Sequence, residues 1–543
     1  MNTVDGSVLI VGAGPVGLTM AANLERNGVG CRIVDKSPKP TETSKALVLW
    51  GRSLEMLDDL GIVGPFLAAG RFLGAATLNG QGRLLARIPL DVEGTEYPRP
   101  LMLAQSETER LLAEYLGRVG IAVERPVELT AFEDRGDHVA ATLRHADGRV
   151  EEVRCDWLIG CDGAHSTVRH GLQMEFTGEA EPNDWILADC RVDGLSQDEL
   201  SFYWHAAGAL AFFPFAEGRC RIIADMGTAQ HAGRPSDPSL AEVQAIVDQR
   251  GPSGVRLSEP RWLAGFRIHE RKVSDYRRGR VFLAGDAAHI HSPAGGQGMN
   301  TGMQDAYNLA WKLGLVERGC GKASPLLDSY SQERGGVGEL VLREAGRMTR
   351  AATVRNPFGQ FLRNNAVWAL GRLPAFRRNF VSYLSELTIH YPNSPLNAET
   401  EGAGWDPHST RPGERVPDTR LRDPRTGDGQ RLHSLLRGMT HDLLLLPSGD
   451  CHLRLAKIGQ QAEAAFPGLV RSHLIVAGDG QPAGTEGTAS VWLDPEGAVR
   501  RLIGAREEAL ALVRPDGYLG FRGQPASWDA LKAYLDRTLI AGP

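Results

Sequence analysis

The chain has 543 residues, with 60 Lys and Arg against 66 Asp and Glu, for a net charge of −6. This balance gives no overall positive field, so we expect neither nucleic acid nor a membrane surface as a partner. A hydrophobic fraction of 42% with 23% charged residues excludes overall disorder, and the length suits two or three domains of roughly 100–200 residues each.

The N-terminal region predicts a β-α-β unit. Residues 8–11 form an apolar strand that runs into Gly12-Ala13-Gly14-Pro15-Val16-Gly17, residues 18–26 have a helical pattern, and a second strand at 31–34 ends at Asp35. Glycines after a strand let the backbone approach a pyrophosphate, the helix start supplies free N–H groups, and the acidic residue can bind a ribose. We therefore predict a dinucleotide site; a tight turn with a capping carboxylate is the structural alternative.

Further along the chain, the pattern divides into distinct regions. Residues 157–160 and 281–285 are apolar strands that run into polar turns, and both suit the sheet begun at residue 8. Helices are predicted at 304–318 and 324–350, and a C-terminal α/β domain has strands at 443–446, 472–476 and 511–513 and helices at 453–466 and 528–539. The predicted divisions are 1–172 (first part of a Rossmann-like domain), 173–270 (an inserted, mainly β substrate domain), 271–391 (second part and a helical region), 392–430 (a linker) and 431–543 (the C-terminal domain).

Two further motifs specify the cofactor. Gly285-Asp286-Ala287-Ala288-His289 is followed by Pro293 and by Gly295-Gly296-Gln297-Gly298-Met299-Asn300, and Cys161-Asp162-Gly163 leads to Arg169. With the first turn, these motifs resemble the FAD-dependent aromatic hydroxylases, the single-component flavoprotein monooxygenases with the p-hydroxybenzoate hydroxylase fold, in their phenol and polyketide hydroxylase branch. The resemblance covers about 340 residues. It implies an α/β and α+β fold with a Rossmann-like FAD-binding domain.

The resemblance also implies which residues bind FAD. Helix capping is the alternative role for Asp286, a rigid turn for Pro293, and a simple turn ion pair for Asp162 with Arg169. Lys45 stands where the family commonly has Arg, with Arg52 seven residues later, and Arg110 is a weaker candidate beside Gln105. The implied cofactor-binding residues are Gly12, Gly14, Pro15, Val16, Gly17, Asp35, Lys36, Lys45, Gln105, Asp162, Gly163, Arg169, Gly285, Asp286, Pro293, Gly296, Gly298, Met299 and Asn300.

The same resemblance implies the reaction. NADPH or NADH reduces FAD, O2 gives a flavin C4a-hydroperoxide, and one oxygen atom is transferred to a phenolic or polycyclic aromatic substrate. Baeyer-Villiger-type or other oxygenation of a polyketide or antibiotic is an alternative on the same scaffold, and a non-catalytic flavin-bound sequestering protein is a third.

The sequence gives weaker signals for the substrate site. Phe202, Trp204, Phe213 and Phe215 alternate along predicted strands and suit an apolar pocket, with core packing as the alternative. No catalytic base is identified, and the candidates near the flavin or substrate are Pro293, Gly298, His205 and Tyr203.

The cysteines and the C-terminal domain complete the prediction. Seven scattered cysteines show no zinc-ligand spacing, and the N-terminus lacks a signal-peptide pattern, so we expect a cytoplasmic protein without a metal. The C-terminal domain resembles the thioredoxin-like appendage of the larger phenol and polyketide hydroxylases. It has only Cys451 and no CxxC motif, which argues against disulfide exchange and favours a structural or dimerisation role. We therefore expect that two copies of the chain form a homodimer.

Overall fold

A parallel sheet forms the centre of the first unit in the computed structural model, which describes residues 2–3, 7–229, 231, 233–401, 404–478, 480 and 490–541. Val8–Val11 lies between two parallel neighbours and is buried throughout. A continuous apolar run is what a parallel strand needs when helices cover both faces of the sheet. In spatial order the strands are Arg277–Arg278, Val281–Leu283, Trp157–Gly160, Val8–Val11, Cys31–Val34 and Val123–Glu124.

Helices and two small sheets surround this sheet. Pro15–Arg26 begins with proline at its first position, where the missing N–H has no helical partner in any case, and it packs against Gly298–Glu317. The other helices of this unit are Gly51–Asp59, Val63–Ala69, Gln105–Arg118, Thr167–Gly171 and Ala323–Ala352, with a 3₁₀ turn at Gly285–Ala287. The small sheets contain Asn2–Thr3, Val150–Cys155, Val139–His145 and Val127–Asp134, and Val48–Leu49, Leu101–Met102 and Arg71–Phe72.

An eight-stranded sheet forms the inserted region. The mainly β character predicted for 173–270 is present, and Ser239 with Glu242 forms a capping box that starts its helix, Leu240–Arg250. The hairpin Ala75–Gly80 and Arg83–Pro89 extends the same sheet by parallel pairing with Glu199–His205. The sheet is therefore built from separate parts of the chain, in the order His289–Ile290, Arg256–Lys272, Thr177–Asp193, Arg219–Thr228, Gly208–Ala216, Glu199–His205, Ala75–Gly80 and Arg83–Pro89.

Two helices, Pro357–Leu370 and Pro374–Leu384, follow the long helix Ala323–Ala352. The first packs on the outer strand Arg83–Pro89. The approach is close where the pair is joined, because a Cβ added to Gly371 would lie 2.7 Å from the Cβ of Ala86. The helix pair thus covers the hairpin edge of the eight-stranded sheet.

The C-terminal unit has its own eight-stranded sheet. His441–Leu446, the helix His452–Ala465 and the parallel strand Val470–Ala477 form a βαβ unit; two antiparallel strands and the helix Trp528–Thr538 follow. This order is consistent with the predicted thioredoxin-like domain. The strands, in spatial order, are Ala398–Glu399, Leu519–Gly523, Ala509–Val513, His441–Leu446, Val470–Ala477, Val491–Asp494, Arg420–Arg422 and Gly429–Arg431, with short helices Leu432–Leu435 and Ala498–Ile503.

The segment 392–430, which the sequence predicts as a linker, differs from that prediction. Ala398–Glu399 pairs with Leu519–Gly523, and Arg420–Arg422 pairs with Val491–Asp494, so the segment supplies strands to the C-terminal sheet. These strands have two and three residues, too few for a hydrophobic period to show in the sequence.

A buried ionic cluster joins the C-terminal unit to the first unit. Arg514 contacts Glu333 at 2.6 Å and Asp516 at 2.5 Å, and Lys312 contacts Glu333 at 2.7 Å. The indole N–H of Trp311 also donates to Asp516, at 3.1 Å. The charged side chains in these ion pairs are at most 1% exposed. The C-terminal turn is therefore fixed against the helices Gly298–Glu317 and Ala323–Ala352.

Candidate cofactor and substrate site

The first glycine turn contains two glycines required for packing and one that faces open space. A Cβ on Gly12, whose φ is +100°, would lie 2.4 Å from the carbonyl oxygen of Cys161, and a Cβ on Gly17 would lie 1.9 Å from that of Gly12. A Cβ on Gly14 would have no neighbour within 4 Å. Gly14 precedes Pro15 at the helix start, where no side chain caps the backbone N–H groups. The turn thus presents free donors and open volume together, as a phosphate site requires.

Asp35 closes this turn. Its carboxylate accepts hydrogen bonds from the backbone N–H groups of Ala13 and Ser37, both at 2.7 Å, and contacts Arg125 at 3.0 Å. Lys36 beside it is exposed. Arg125, which the sequence analysis did not identify, also donates to the carbonyl of Ala13 at 3.1 Å. No sequence motif marks Arg125, because it meets Asp35 only through the pairing of the strands Cys31–Val34 and Val123–Glu124, which are distant in the sequence.

The segment from Asp162 to Arg169 lies beside the turn. One oxygen of Asp162 accepts from the N–H of Val168 at 3.2 Å, and the other is buried with no hydrogen-bond partner among the described residues. Burial raises the pKa of Asp162. Gly163 has φ +79° and open space before it. Arg169 donates to the carbonyls of Ala287 and Ala164, at 2.9 and 2.8 Å, so it fastens this segment to the Gly285–Ala287 turn.

Asp286 and Lys45 meet at the same edge of the parallel sheet. Asp286 keeps part of its surface open to solvent. The protein atoms around its carboxyl group partly desolvate it and raise its pKa, whereas the positive charges of His289 and Lys45 act in the opposite direction. Arg221 holds the Lys45 loop, because it donates to the Lys45 carbonyl at 2.8 Å and pairs with Asp189 at 2.7 Å. The inserted sheet therefore fixes the backbone of the loop that carries Lys45.

A buried charge network supports the Asp286 turn. Asp305 accepts from the N–H of Gly285 at 3.0 Å, contacts Nε2 of His289 at 2.8 Å and pairs with Arg334 at 2.7 Å. Burial would raise the pKa of Asp305, but the charges of Arg334 and His289 outweigh burial and lower it. Gly285 itself is needed for packing, because a Cβ there would lie 2.7 Å from Val16.

The second glycine turn leads into the helix Gly298–Glu317. Gly295 and Gly296 have φ of +89° and +65°, and Pro293 is exposed beside them. Gly298 begins the helix, which no side chain caps, and Met299 after it is buried. Unpaired N–H groups and the helix dipole are thus available to a negatively charged group in front of the turn.

Asn300 anchors this second turn. Its amide donates to the carbonyls of Val48 and Gly296, at 2.9 and 3.0 Å, and its oxygen accepts from the N–H of Trp50 at 2.9 Å. The indole of Trp50 donates to the carbonyl of Gly295 at 3.0 Å. Asn300 therefore acts on the shape of the turn rather than as a free ligand.

His291, which the sequence analysis did not single out, lies next to Gly298. A Cβ on Gly298 would be 3.6 Å from its Nε2, and that nitrogen is buried without a hydrogen-bond partner among the described residues. Burial lowers the pKa of His291 to about 4, which keeps the imidazole neutral. The sequence gives little sign of a role for His291, which stands out only as a second histidine shortly after His289.

Gln105, Arg110 and Arg52 differ in their relation to the site. Gln105 accepts from the N–H of Ala46 at 3.2 Å, next to Lys45. Arg110 is exposed and pairs with glutamates of its own helix, and Arg52 is buried against the C-terminal unit, 5.2 Å above the ring of Tyr518. Gln105 thus remains at the site, whereas Arg110 and Arg52 do not face it.

One face of the inserted sheet meets the second glycine turn. Phe202, Phe213 and Phe215 share an apolar cluster with Trp50, and Phe202 lies 5.6 Å from Phe213 in an edge-to-face contact. Trp204 lies beneath the guanidinium of Arg363, at 4.3 Å. Alternation along the strands places these four side chains on one face of the inserted sheet, and the three phenylalanines share the cluster that contains Trp50.

Tyr203 and His205 lie on the opposite face of the inserted sheet from Phe202 and Trp204. Tyr203 packs against Phe212 at 5.8 Å in the cluster under the helix Leu240–Arg250. His205 accepts from the N–H of Ala207 at 3.1 Å in the hairpin turn. The two-residue period of a strand forces neighbours of Phe202 and Trp204 onto the opposite face.

A doubly wound sheet with a glycine turn between its first strand and first helix is the arrangement of dinucleotide-binding proteins. The family described as FAD binding domain matches residues 5–345, and the chain belongs to it. The chain is 38% identical, over 97% of its length and 92% of the relative, to 6-methylpretetramide 4-monooxygenase of Streptomyces rimosus. It is 31% identical, over 99% of its length and 98% of the relative, to pentachlorophenol 4-monooxygenase of Sphingobium chlorophenolicum.

A solved structure gives the same result. The anhydrotetracycline hydroxylase OxyS from Streptomyces rimosus superimposes with a TM-score of 0.74 at 29% identity, covering 98% of both chains. The protein is an FAD-dependent monooxygenase of the aromatic hydroxylase class, which uses O2 and a reduced nicotinamide. Within the described residues, no helix combines the length and apolar character needed to cross a bilayer.

Proposed function

We propose that this enzyme hydroxylates a polycyclic aromatic substrate in the space between the second glycine turn and the aromatic face of the inserted sheet. The observation that carries the proposal is the shared cluster of Phe202, Phe213 and Phe215 with Trp50, whose indole also binds the Gly295 carbonyl. Flat apolar rings match such a surface. The 38% identity to 6-methylpretetramide 4-monooxygenase supports a multi-ring substrate over a single phenol.

FAD fits the residues of the site. Gly14 offers open volume at a helix start, and a buried oxygen of Asp162 is free to accept a hydrogen bond. Asp286 has an accessible carboxylate at the end of its strand, suited to a ribityl hydroxyl. We propose that Asp35 and Lys45 bind the ribose and the phosphates. The remaining predicted contacts are Gly12, Pro15, Val16, Gly17, Lys36, Gln105, Gly163, Arg169, Gly285, Pro293, Gly296, Gly298, Met299 and Asn300, of which Gly12, Gly17, Gly285, Arg169 and Asn300 act through packing and positioning.

When bound, FAD supplies the electron transfer from NADPH or NADH and the activation of O2. The chain's own residues bind and orient FAD and the substrate, and they exclude water from the site. The uncapped start of Gly298–Glu317 would stabilise negative charge on the flavin ring, and the neutral His291 beside it would contribute no charge of its own. The apolar cluster keeps water from the reacting oxygen.

Two buried polar atoms are suited to orient a substrate oxygen. Oη of Tyr383 and Oε1 of Gln297 have no hydrogen-bond partner among the described residues, and the amide of Gln297 donates to the Tyr383 carbonyl at 3.2 Å. Burial raises the pKa of Tyr383, so its hydroxyl is a proton donor at neutral pH. We propose that these groups position the ring rather than abstract its proton.

We also infer a cytoplasmic homodimer without nucleic acid. All seven cysteines are unpaired, which suits a reducing compartment, and the net charge of −6 disfavours nucleic acid. Size-exclusion chromatography with light scattering tests the dimer.

The experiment that tests the function is oxidation of NADPH and NADH under air with phenols and polycyclic aromatics, with products measured by mass. A bound flavin spectrum, faster oxidation with a polycyclic substrate and a product heavier by one oxygen are expected. A ring-expanded lactone would favour Baeyer-Villiger oxygenation, and oxidation indifferent to every aromatic would contradict the proposal.

A paired substitution tests the pocket. Phe213→Trp narrows the space at the aromatic face, so we expect KM for the polycyclic substrate to rise while FAD content is unchanged. Tyr203→Phe, on the opposite face of the neighbouring strand, is the matched control. Equal KM values in both variants would place the substrate elsewhere.

A further inference from the structure

The helix Pro357–Leu370 has its polar and apolar faces reversed. Gln360 and Asn364 are 4% and 1% exposed, whereas Phe358 and Phe361 are 68% and 58% exposed. A surface helix ordinarily buries its apolar stripe and exposes amides. Asn364 faces the eight-stranded sheet, where a Cβ added to Gly80 would lie 3.0 Å from its amide nitrogen, and Gln360 donates to the carbonyl of Val354 at 3.0 Å. The helix therefore directs its most apolar side chains to the outside.

This outward surface extends into the connection to the next helix. Leu362, Trp368, Leu370 and Leu373 are 53%, 41%, 40% and 52% exposed. Together with Phe358 and Phe361 they form what we call the outer apolar face. Isolated exposed apolar residues are normal, but six within sixteen residues of chain mark an interaction surface.

The surroundings of the outer apolar face are strongly cationic. Residues 345–385 contain seven arginines and no Asp or Glu, and three of the seven, Arg347, Arg350 and Arg355, pair with carboxylates outside this stretch. On the turn between the two helices and on the second helix, Arg372, Arg377 and Arg378 form no ion pair with a carboxylate among the described residues. Arg372 stacks on Trp368, with its guanidinium carbon 3.6 Å from the ring centroid.

Charge and shape together select the kind of partner. A second copy meeting this face across a two-fold axis would bring like charges together, so the charge disfavours a homodimer here. Phe358, Phe361, Leu362 and Leu373 are each more than half exposed and therefore project outward instead of lining a groove. Projecting aromatic and leucine side chains flanked by arginines match the boundary between lipid headgroups and acyl chains.

We propose that the outer apolar face, with its unpaired arginines, docks the enzyme on an anionic lipid bilayer. The apolar side chains enter the headgroup boundary and the guanidinium groups remain at the level of the phosphates. The contact is peripheral and reversible, since it uses a helix face rather than a spanning segment. It departs from the sequence-based expectation of no membrane partner, which rested on the charge of the whole chain.

Vesicle flotation of the full-length holoenzyme tests the proposal. We expect binding to vesicles of phosphatidylcholine mixed with phosphatidylglycerol, weakened by salt, and little binding to phosphatidylcholine alone. Phe358→Ser with Phe361→Ser should lower the partition coefficient by about tenfold or more, as should Arg372→Gln with Arg378→Gln. Leu453→Ser, at a 54% exposed leucine of the C-terminal unit, is the matched control.

The outcomes separate the alternatives. FAD content and turnover of a water-soluble substrate should be the same in all variants, because none of these residues lies in the cofactor or substrate site. Failure to bind anionic vesicles, or equal binding to neutral ones, would overturn the proposal. Conversion of a dimer to a monomer by Phe358→Ser with Phe361→Ser would assign the face to contact between copies instead.

Discussion

Replacing Gly14 with valine should separate cofactor binding from folding. Gly14 has φ −78° and open space around a Cβ, so the side chain is tolerated by the protein itself. A phosphate oxygen bound to a backbone N–H lies about 2.9 Å from the nitrogen, in the volume that the new side chain would take. Losing two charge-assisted hydrogen bonds costs at least about 3 kcal/mol, or roughly a 100-fold weaker FAD complex.

The assay is a fluorescence titration of the deflavinated protein with FAD, with thermal unfolding of the same apoprotein. The Gly14→Val apoprotein should lose only about 1 kcal/mol of stability, from the changed helix start. Gly117→Val is the matched control, since a Cβ on Gly117 also meets open space but lies on the helix Gln105–Arg118. FAD affinity within threefold of the unsubstituted protein would refute the assignment of this turn.

Three further substitutions test other parts of the site. Asp286→Ala should release FAD by removing the carboxylate proposed for the ribityl chain, and stoichiometric flavin at unchanged affinity would count against that role. Arg334→Met removes the guanidinium partner of the buried Asp305 and leaves it with His289 and the N–H of Gly285, so the free energy of unfolding measured in urea should fall by about 3–5 kcal/mol. A change within about 1 kcal/mol would contradict the network. Burial raises the pKa of Glu386 from 4.5 to about 8, and this carboxyl accepts from Thr301 at 3.0 Å. Between these two pH values the folded state holds a proton that the unfolded state has released, so the contribution of Glu386 to the free energy of unfolding falls as pH rises from 4.5 to 8, by up to about 1.4 kcal/mol per pH unit. Glu386→Gln should remove this pH dependence of stability, and an unchanged dependence would refute the raised pKa.

Local signals in the sequence predicted the parallel sheet well. Val8–Val11 and Trp157–Gly160 are apolar runs next to glycine turns, and a buried parallel strand leaves that mark in the residues themselves. The hairpin Ala75–Gly80 and Arg83–Pro89 was not predicted, because its place in the sheet depends on pairing with a strand more than a hundred residues later.

The supporting residues of the site were harder to predict for the same reason. Asp305 meets Arg334 across two helices, and Arg125 reaches Asp35 across neighbouring strands, so neither pair has a sequence spacing that would reveal it. The period of a strand alone shows that Tyr203 cannot share a face with Phe202. The roles of the cofactor-binding residues remain predictions until variants are measured.

Net charge also hides local composition. The value of −6 is a sum over the whole chain, and it gives no sign of the acid-free stretch 345–385. The exposure of Phe358 and Phe361 is visible only when the helix is placed against its sheet. A sequence window over charge alone would have found the arginines but not the side on which the apolar residues lie.

The buried cluster of Arg514, Glu333 and Lys312 makes the C-terminal unit difficult to exchange by recombination. A chimera that replaced this unit with one lacking the arginine would leave the buried Glu333 with Lys312 as its remaining cationic partner, and removing one partner of a buried charge costs several kcal/mol. Shuffling between related enzymes should therefore succeed only when the two halves are inherited together or when both sides of the cluster match. Crossover libraries with a breakpoint between residues 391 and 431 would record this constraint directly, as a bias among the survivors toward donors that carry arginine at position 514.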